Sequence, residues 1–513
     1  VFLFQYLLGI YSPITYNDNA TIALSRILYE NNIFLGGSFL HNLLGGIDHF
    51  GSQGNSGQYL SLEKFIFQIL PLWIAIVLHK TFLILLSFFG FYLLSKEIFN
   101  NSKINSILAA SFFSIINPYA TYITFFHGIT FALIPFAIYV FLYCSDKKFY
   151  LFYTILLSSL ISISTSPLHS LQSLLFGLIV TTLIKKPNNL KMYMIAILIL
   201  SVFVLLNWSE NLYGIISYGQ LSSRLQSLPY EQSIFGNFWY LSTKGNSCLV
   251  NCEYFKYSPF LIVTCLTFIL SLLNFKKYYI KFYVVIFISN YFYLIYYFLV
   301  DILQLHSIKT LNVFNSSFYI YLPITLLGLE VCKNIKNNLA KNFIFVFPFF
   351  SIFMVLEDKF DFAKRIFFEP QTALYKIKNL KNKEWADEKL FRVSSTNPHF
   401  FFHPNFATSY GLETSDGYTN IIAKNYVEFW DYGIVSKKYK PNAAPRFSGN
   451  LYLNNSHYLS EEALSKYLEE NITFENLKLI NNRFILSYVP INHKDLIQVS
   501  GPSKLVYKNF IRE

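Results

Sequence analysis

Residues 70–94 read LPLWIAIVLHKTFLILLSFFGFYLL. Only His79 and Lys80 interrupt this apolar run, which exceeds the roughly 18–20 residues that cross a bilayer. Residues 62–95 together are too long for one straight crossing. Pro71 lacks a backbone donor and clashes with the preceding turn, so it predicts a break there. The part before the break is expected along the membrane surface or in the outer loop. A second long run, Met194 to Leu206 with its flanks, has the same character. The chain of 513 residues is 53% hydrophobic and only 14% charged, which points to a polytopic helical membrane protein.

The net charge of +12 raises nucleic-acid binding, but the lysines sit in short loops between apolar runs and no nucleic-acid motif accompanies them. Lysine-rich loops at 96–103, 146–148, 185–191, 276–281 and 333–341 alternate with lysine-poor ones at 117–127, 164–169, 207–259 and 301–317. Lysine-rich loops stay in the cytoplasm. The alternation predicts about eleven spans, with the N-terminus inside and Asp18 outside. The expected spans are 1–11, 66–95, 104–117, 129–144, 149–164, 168–184, 192–207, 259–275, 282–300, 317–334 and 342–356. Val1 opens inside an apolar run, so 1–11 reads as the outer half of a first helix. Outer loops fall at 12–65 and 208–258.

After Glu357 the long apolar runs stop and charge rises. Residues 357–513 are expected to form an extracytoplasmic α+β domain, outside by the same alternation. A helix is predicted over Ser460–Glu470, with Ser460 as N-cap. Strands are predicted over Leu477–Ile480 and Phe484–Val489 as a hairpin around Asn481-Asn482, with further strands over Phe391–Ser394 and Leu505–Tyr507.

The loop from Tyr11 to Tyr59 follows the first expected span and carries Asp18, Asp48, two histidines and a Gly/Ser/Asn/Gln cluster. A polar loop just outside a span is where a membrane enzyme can act on a lipid headgroup. Asp18 reads equally as a helix cap. His127 and His169 stand in short outer loops with little other charge; with Asp18 and Asp48 as candidate catalytic carboxylates, they suggest an outward polar cavity whose histidines bind substrate. His79 is the histidine that falls inside a run. Arg224, Lys244 and Lys309 are candidate phosphate-binding cations, Arg by two hydrogen bonds and Lys as a point charge. A lone basic residue in a loop is more often simply solvated. Cys248 and Cys252 form the close pair of an outer loop and predict a local disulfide. Cys144, Cys265 and Cys332 read as core. Sequons at Asn19, Asn207, Asn315, Asn454 and Asn471 all fall outside. No nucleotide-binding or zinc-protease motif is present. No cofactor is called for, although the carboxylates leave room for a divalent metal.

Several stretches carry a family resemblance. ITYNDNATIALSRILYENN (14–32), GGSFLHNLLGGID (36–48), FFGFYLLSKEIF (88–99), SSRLQS (222–227), NVFNSSFYIYLP (312–323) and the segment 391–430 resemble YfhO-like multi-spanning microbial proteins. These look like members of the GT-C superfamily of membrane glycosyltransferases. The resemblance implies a sugar donor linked to polyprenyl phosphate, held in membrane lipid, and a glycan, lipid or protein acceptor on the outer face. It implies that Asp18, the first-loop acid, serves as general base. It also implies an Arg before the tenth span. Asn312–Ser317 has none, and Lys309 is the nearest substitute. The competing expectation is a non-catalytic membrane scaffold of the same fold, with an outer partner-binding domain.

Overall fold

A computed structural model of the chain describes residues 39–40, 47–48, 60–116, 128–164, 167–218, 259–303, 321–335, 392–395, 413–415, 417–418, 426, 428–434, 448–449, 461–487 and 490–496. These residues are mostly helical. Two helices are long and apolar enough to cross a membrane, Trp73–Ile98 and Leu190–Glu210.

The break at Pro71 is present. Helix α1 (Leu62–Ile69) ends before it, and α2 (Leu72–Leu93) begins after it and runs on into a π-helical turn, Leu94–Ile98. Asn100 then takes a left-handed backbone, φ 49°, and stops the helix. The next helices are α3 (Lys103–Ile116), α4 (Gly128–Ile138, with π turn Tyr139–Tyr143), α5 (Tyr150–Ile163) and α6 (Pro167–Ile184). They are followed by α7 (Leu190–Tyr218), α8 (Pro259–Leu273), α9 (Tyr279–Ile302) and α10 (Tyr321–Asn334). Each falls on an apolar run read from the sequence. The first and last of the expected spans, 1–11 and 342–356, lie outside the described residues.

Helix α2 packs between α3 and α4, α5 lies on α7, and α10 touches α3, α8 and α9. One hydrophobic cluster joins these helices, from Leu83 through Phe91, Phe141, Leu178, Leu200 and Phe282 to Val331.

Two helices invert the pattern of a water-soluble protein. On α5 the exposed side chains include Leu151, Phe152, Ile155 and Leu156, while Thr154, Ser158 and Ser162 are buried. On α8, Ile269, Leu272 and Leu273 face out, while Thr264, Thr267 and Ser271 face in. Cys265, expected in the core, is exposed on the apolar side of α8. Helical period places the hydroxyl-bearing residues inward at that point. Small hydroxyl residues are the usual contacts between helices in lipid, because they let backbones approach closely.

Toward the C-terminus a second cluster gathers Trp430, Ile434, Tyr467, Leu468, Ile472, Phe474 and Leu477. Helix α11 (Glu461–Asn471) lies where a helix was expected; its N-cap candidate Ser460 lies outside the described residues, as does Leu505–Tyr507. The expected 481–482 hairpin is replaced by a different arrangement. Phe474–Leu477 is helix α12, Lys478–Ile480 a 3-10 turn, and Asn481 a left-handed stop at φ 55°. The burial of Phe474 and Leu477 at three-residue spacing selects helix over strand. Among the seven short strands described, β1 (Phe39–Leu40) and β2 (Ile47–Asp48) pair antiparallel. The strand β3 (Arg392–Ser395) pairs parallel with both β4 (Glu413–Thr414) and β7 (Asn482–Leu486). A short antiparallel pair, β5 (Gly417–Tyr418) and β6 (Ser448–Gly449), completes the set.

Candidate functional site

The fold-back at Pro71 lays α1 against the first turns of α2 and brings two ionisable residues together. Glu63 Oε1 lies 3.6 Å from His79 Nε2, and both side chains are fully buried. Lys80, next to His79, is only 6% exposed. Ser61 Oγ donates to Glu63 Oε2 at 3.5 Å, and the Phe67 ring meets His79 edge-on. Glu63, His79 and Lys80 all have further partners. A carboxylate, an imidazole and an ammonium are expensive to bury among apolar helices, and such groups mark functional positions more often than structural ones.

A latch holds the chain just before α1. Asn207, 7% exposed and within α7, accepts from Leu60 N–H at 2.8 Å. Its amide donates to Leu60 O at 3.0 Å and to Ser162 O, on α5, at 2.6 Å. The chain leading into α1 is thereby tied to the end of α5 and to α7. Trp208 beside it is fully buried.

At about 1.5 Å per residue, roughly 28 Å of helix separates His79 from Ile98, and roughly 26 Å separates Asn207 from Leu190. The two polar sites therefore share a level, opposite the lysine-rich end. At that far end Lys185 Nζ donates to Ile98 O, and Lys333 Nζ donates to Phe99 O. Lys333 also bonds Glu330 at 2.7 Å. Asn188 donates its amide to Tyr143 O at 3.0 Å, so the loop after α6 caps the π turn of α4. Three lysine-rich loops thus converge on one end of the helices. Desolvation, with the nearby Lys333 charge, holds the Lys185 ammonium below the ordinary lysine range; Glu330 pulls the other way.

Of the residues singled out from sequence, Asp48 sits in β2 with Phe39 as its strand partner. His169 belongs to the first turn of α6, which opens at Pro167, rather than to a loop; a proline suits that first helical position. Asp18, His127, Arg224, Lys244, Lys309, Cys248 and Cys252 lie outside the described residues. Among the described residues no group of three His, Cys, Asp or Glu is placed to hold a metal ion.

Sequence reading gave no site role to Glu63, Lys80 or Asn207. The available signal was the interruption of an apolar stretch by Glu63, His79 and Lys80 on either side of a helix-breaking proline. Comparison with known proteins finds no matching family model, curated protein or solved structure.

Proposed function

We propose that the chain is a polytopic membrane protein of about eleven spans with an outer α+β domain at 357–513. It moves a sugar from a polyprenyl-phosphate donor to an acceptor on the outer face of the cell membrane. Its lysine-rich helix ends lie in the cytoplasm, and Asp18 and the C-terminal region lie outside. The observation that carries this reading is the depth of the buried Glu63–His79–Lys80 group. It stands about 28 Å from the lysine-rich end, close to the roughly 30 Å thickness of a bilayer's hydrocarbon core. A polyprenyl phosphate keeps its chain in the lipid and its phosphate at the headgroup level, which is this level. The exposed apolar and buried hydroxyl faces of α5 and α8 support the membrane setting.

In the reaction an acceptor O–H loses its proton to a carboxylate as its oxygen bonds the anomeric carbon. The bond from that carbon to the polyprenyl phosphate breaks, and the phosphate leaves with the electron pair. Asp18 is the proposed base, and Lys80 the cation that meets the leaving phosphate. Glu63 and His79 lie beside it in the same buried group and offer a second proton acceptor.

The test needs no knowledge of the sugar. Purified protein is offered polyprenyl monophosphate, and retention is read by native mass spectrometry. Wild type is expected to retain it, and Lys80→Gln to retain it about tenfold less. With a donor that supports turnover, Asp18→Asn is expected to lower transfer roughly 10²-fold or more. The absence of an Arg from Asn312–Ser317 favours the second reading, a scaffold with no transfer activity. Failure of wild type to retain any polyprenyl phosphate would replace the first reading with the second.

A further inference from the structure

We infer that the joined ends of α2, α6 and α10 hold the headgroup of an anionic phospholipid of the cytoplasmic leaflet, its phosphodiester between Lys185 and Lys333. The inference rests on the membrane orientation proposed above, and it concerns the end of the helices opposite the Glu63–His79–Lys80 group. The two ammonium groups are anchored on the carbonyls of consecutive residues, Ile98 and Phe99, so they stand side by side. Both lysines are exposed. An ammonium has three N–H donors. Lys185 commits one of them to Ile98, and Lys333 commits one to Phe99 and one to Glu330. Donors therefore remain on both, and the like charges repel until an anion lies between them.

The charge of the cluster selects the anion. Glu330 pairs with Lys333, so the trio of Lys185, Lys333 and Glu330 carries one net positive charge. That charge matches the single negative charge of a phosphodiester better than inorganic phosphate. The rings of Phe99 and Tyr143 lie 5.9 Å from Lys185 Nζ and wall the position on its protein side. Ile179 and Leu183, both exposed on α6, lead to this end and offer an apolar path for an acyl chain. Basic pockets between helix ends on the cytoplasmic side are a recurrent setting for such headgroups.

The test titrates delipidated, detergent-solubilised protein with dihexanoyl phosphatidylglycerol, dihexanoyl phosphatidylcholine and inorganic phosphate, read by native mass spectrometry. Phosphatidylglycerol is expected to be retained about fivefold more than phosphatidylcholine, in line with one effective charge. Lys185→Gln should abolish the preference, Lys185→Arg should keep it, and Lys147→Gln should leave it unchanged. Equal retention of the two lipids by wild type overturns the inference, and needs no variant to fold. So does a preference that survives Lys185→Gln, or one that inorganic phosphate removes at equal concentration. Absence of the preference in wild type with polyprenyl phosphate retention intact overturns this inference alone. A protein that stays monodisperse in water without detergent overturns the membrane reading beneath it.

Discussion

Gly90 is where α2 and α4 meet backbone to backbone. A Cβ added there would lie 2.7 Å from Phe136 N and 2.9 Å from Phe136 Cβ. Neither atom can rotate away, so Gly90→Ala must push the helices apart, at about 1–3 kcal/mol. At Gly328 the nearest atom is the Thr267 hydroxyl oxygen, 3.2 Å from an added Cβ. It belongs to a side chain that can shift by a few tenths of an ångström. Thermal midpoints in detergent should therefore fall clearly for Gly90→Ala and less for Gly328→Ala; the reverse order would contradict the packing described. Asparagines give a second expectation at this scale. Asn207 and Asn471 both begin sequons, yet both are buried and their amide nitrogens donate to backbone carbonyls. Expression in a host that modifies sequons should leave both unmodified in peptide mass spectra. A glycan on either would mean that its helix end opens before the modification.

Helices were the most legible part of the sequence. The apolar runs gave α3 to α6 and α8 to α10 nearly at their observed limits, whereas α7 runs on to Tyr218, into the stretch 208–258 expected as an outer loop. Pro71 gave the break. What could not be read was which turn of one helix faces which turn of another. Glu63 looks like an ordinary first-turn acid until α1 folds back and places it on His79. The same limit explains the missed parallel pairing of β3 with β7: the partners are far apart in sequence, and Asn481-Asn482 carries a hairpin signal that the buried Phe474–Leu477 turn overrides. The site residues Asp18, Arg224 and Lys309 fall outside the described residues, so their part of the reading rests on sequence alone. Helix faces also give a test of setting. Leu198 is exposed in the middle of α7. If that face meets lipid, Leu198→Lys should make insertion less favourable by about 3 kcal/mol, seen as a larger uninserted fraction in microsomal membranes. In water the same change would be nearly silent.

At the scale of the whole molecule, the lysine-rich loops should share one side of the membrane. Single cysteines at Lys147 and Lys277 should then be labelled together by an impermeant reagent, and one at Glu462 only from the opposite side. Labelling of Lys147→Cys and Glu462→Cys from the same side would reverse the proposed orientation of the C-terminal region. The Asn207 latch bears on the chain's history as well as on its final form. Leu60 finds its hydrogen-bonding partner 147 residues downstream. A ribosome adding about 5–20 residues per second needs roughly 7–30 s to make that stretch. Throughout that interval the hairpin of α1 and α2 exists without the side chain that pins it. On the membrane reading proposed above, its charged residues wait in the translocation channel or at the lipid boundary until α7 emerges. On that reading the latch closes only once the seventh described helix is made, and a pause or truncation before Asn207 should leave a nascent chain exposed to quality control.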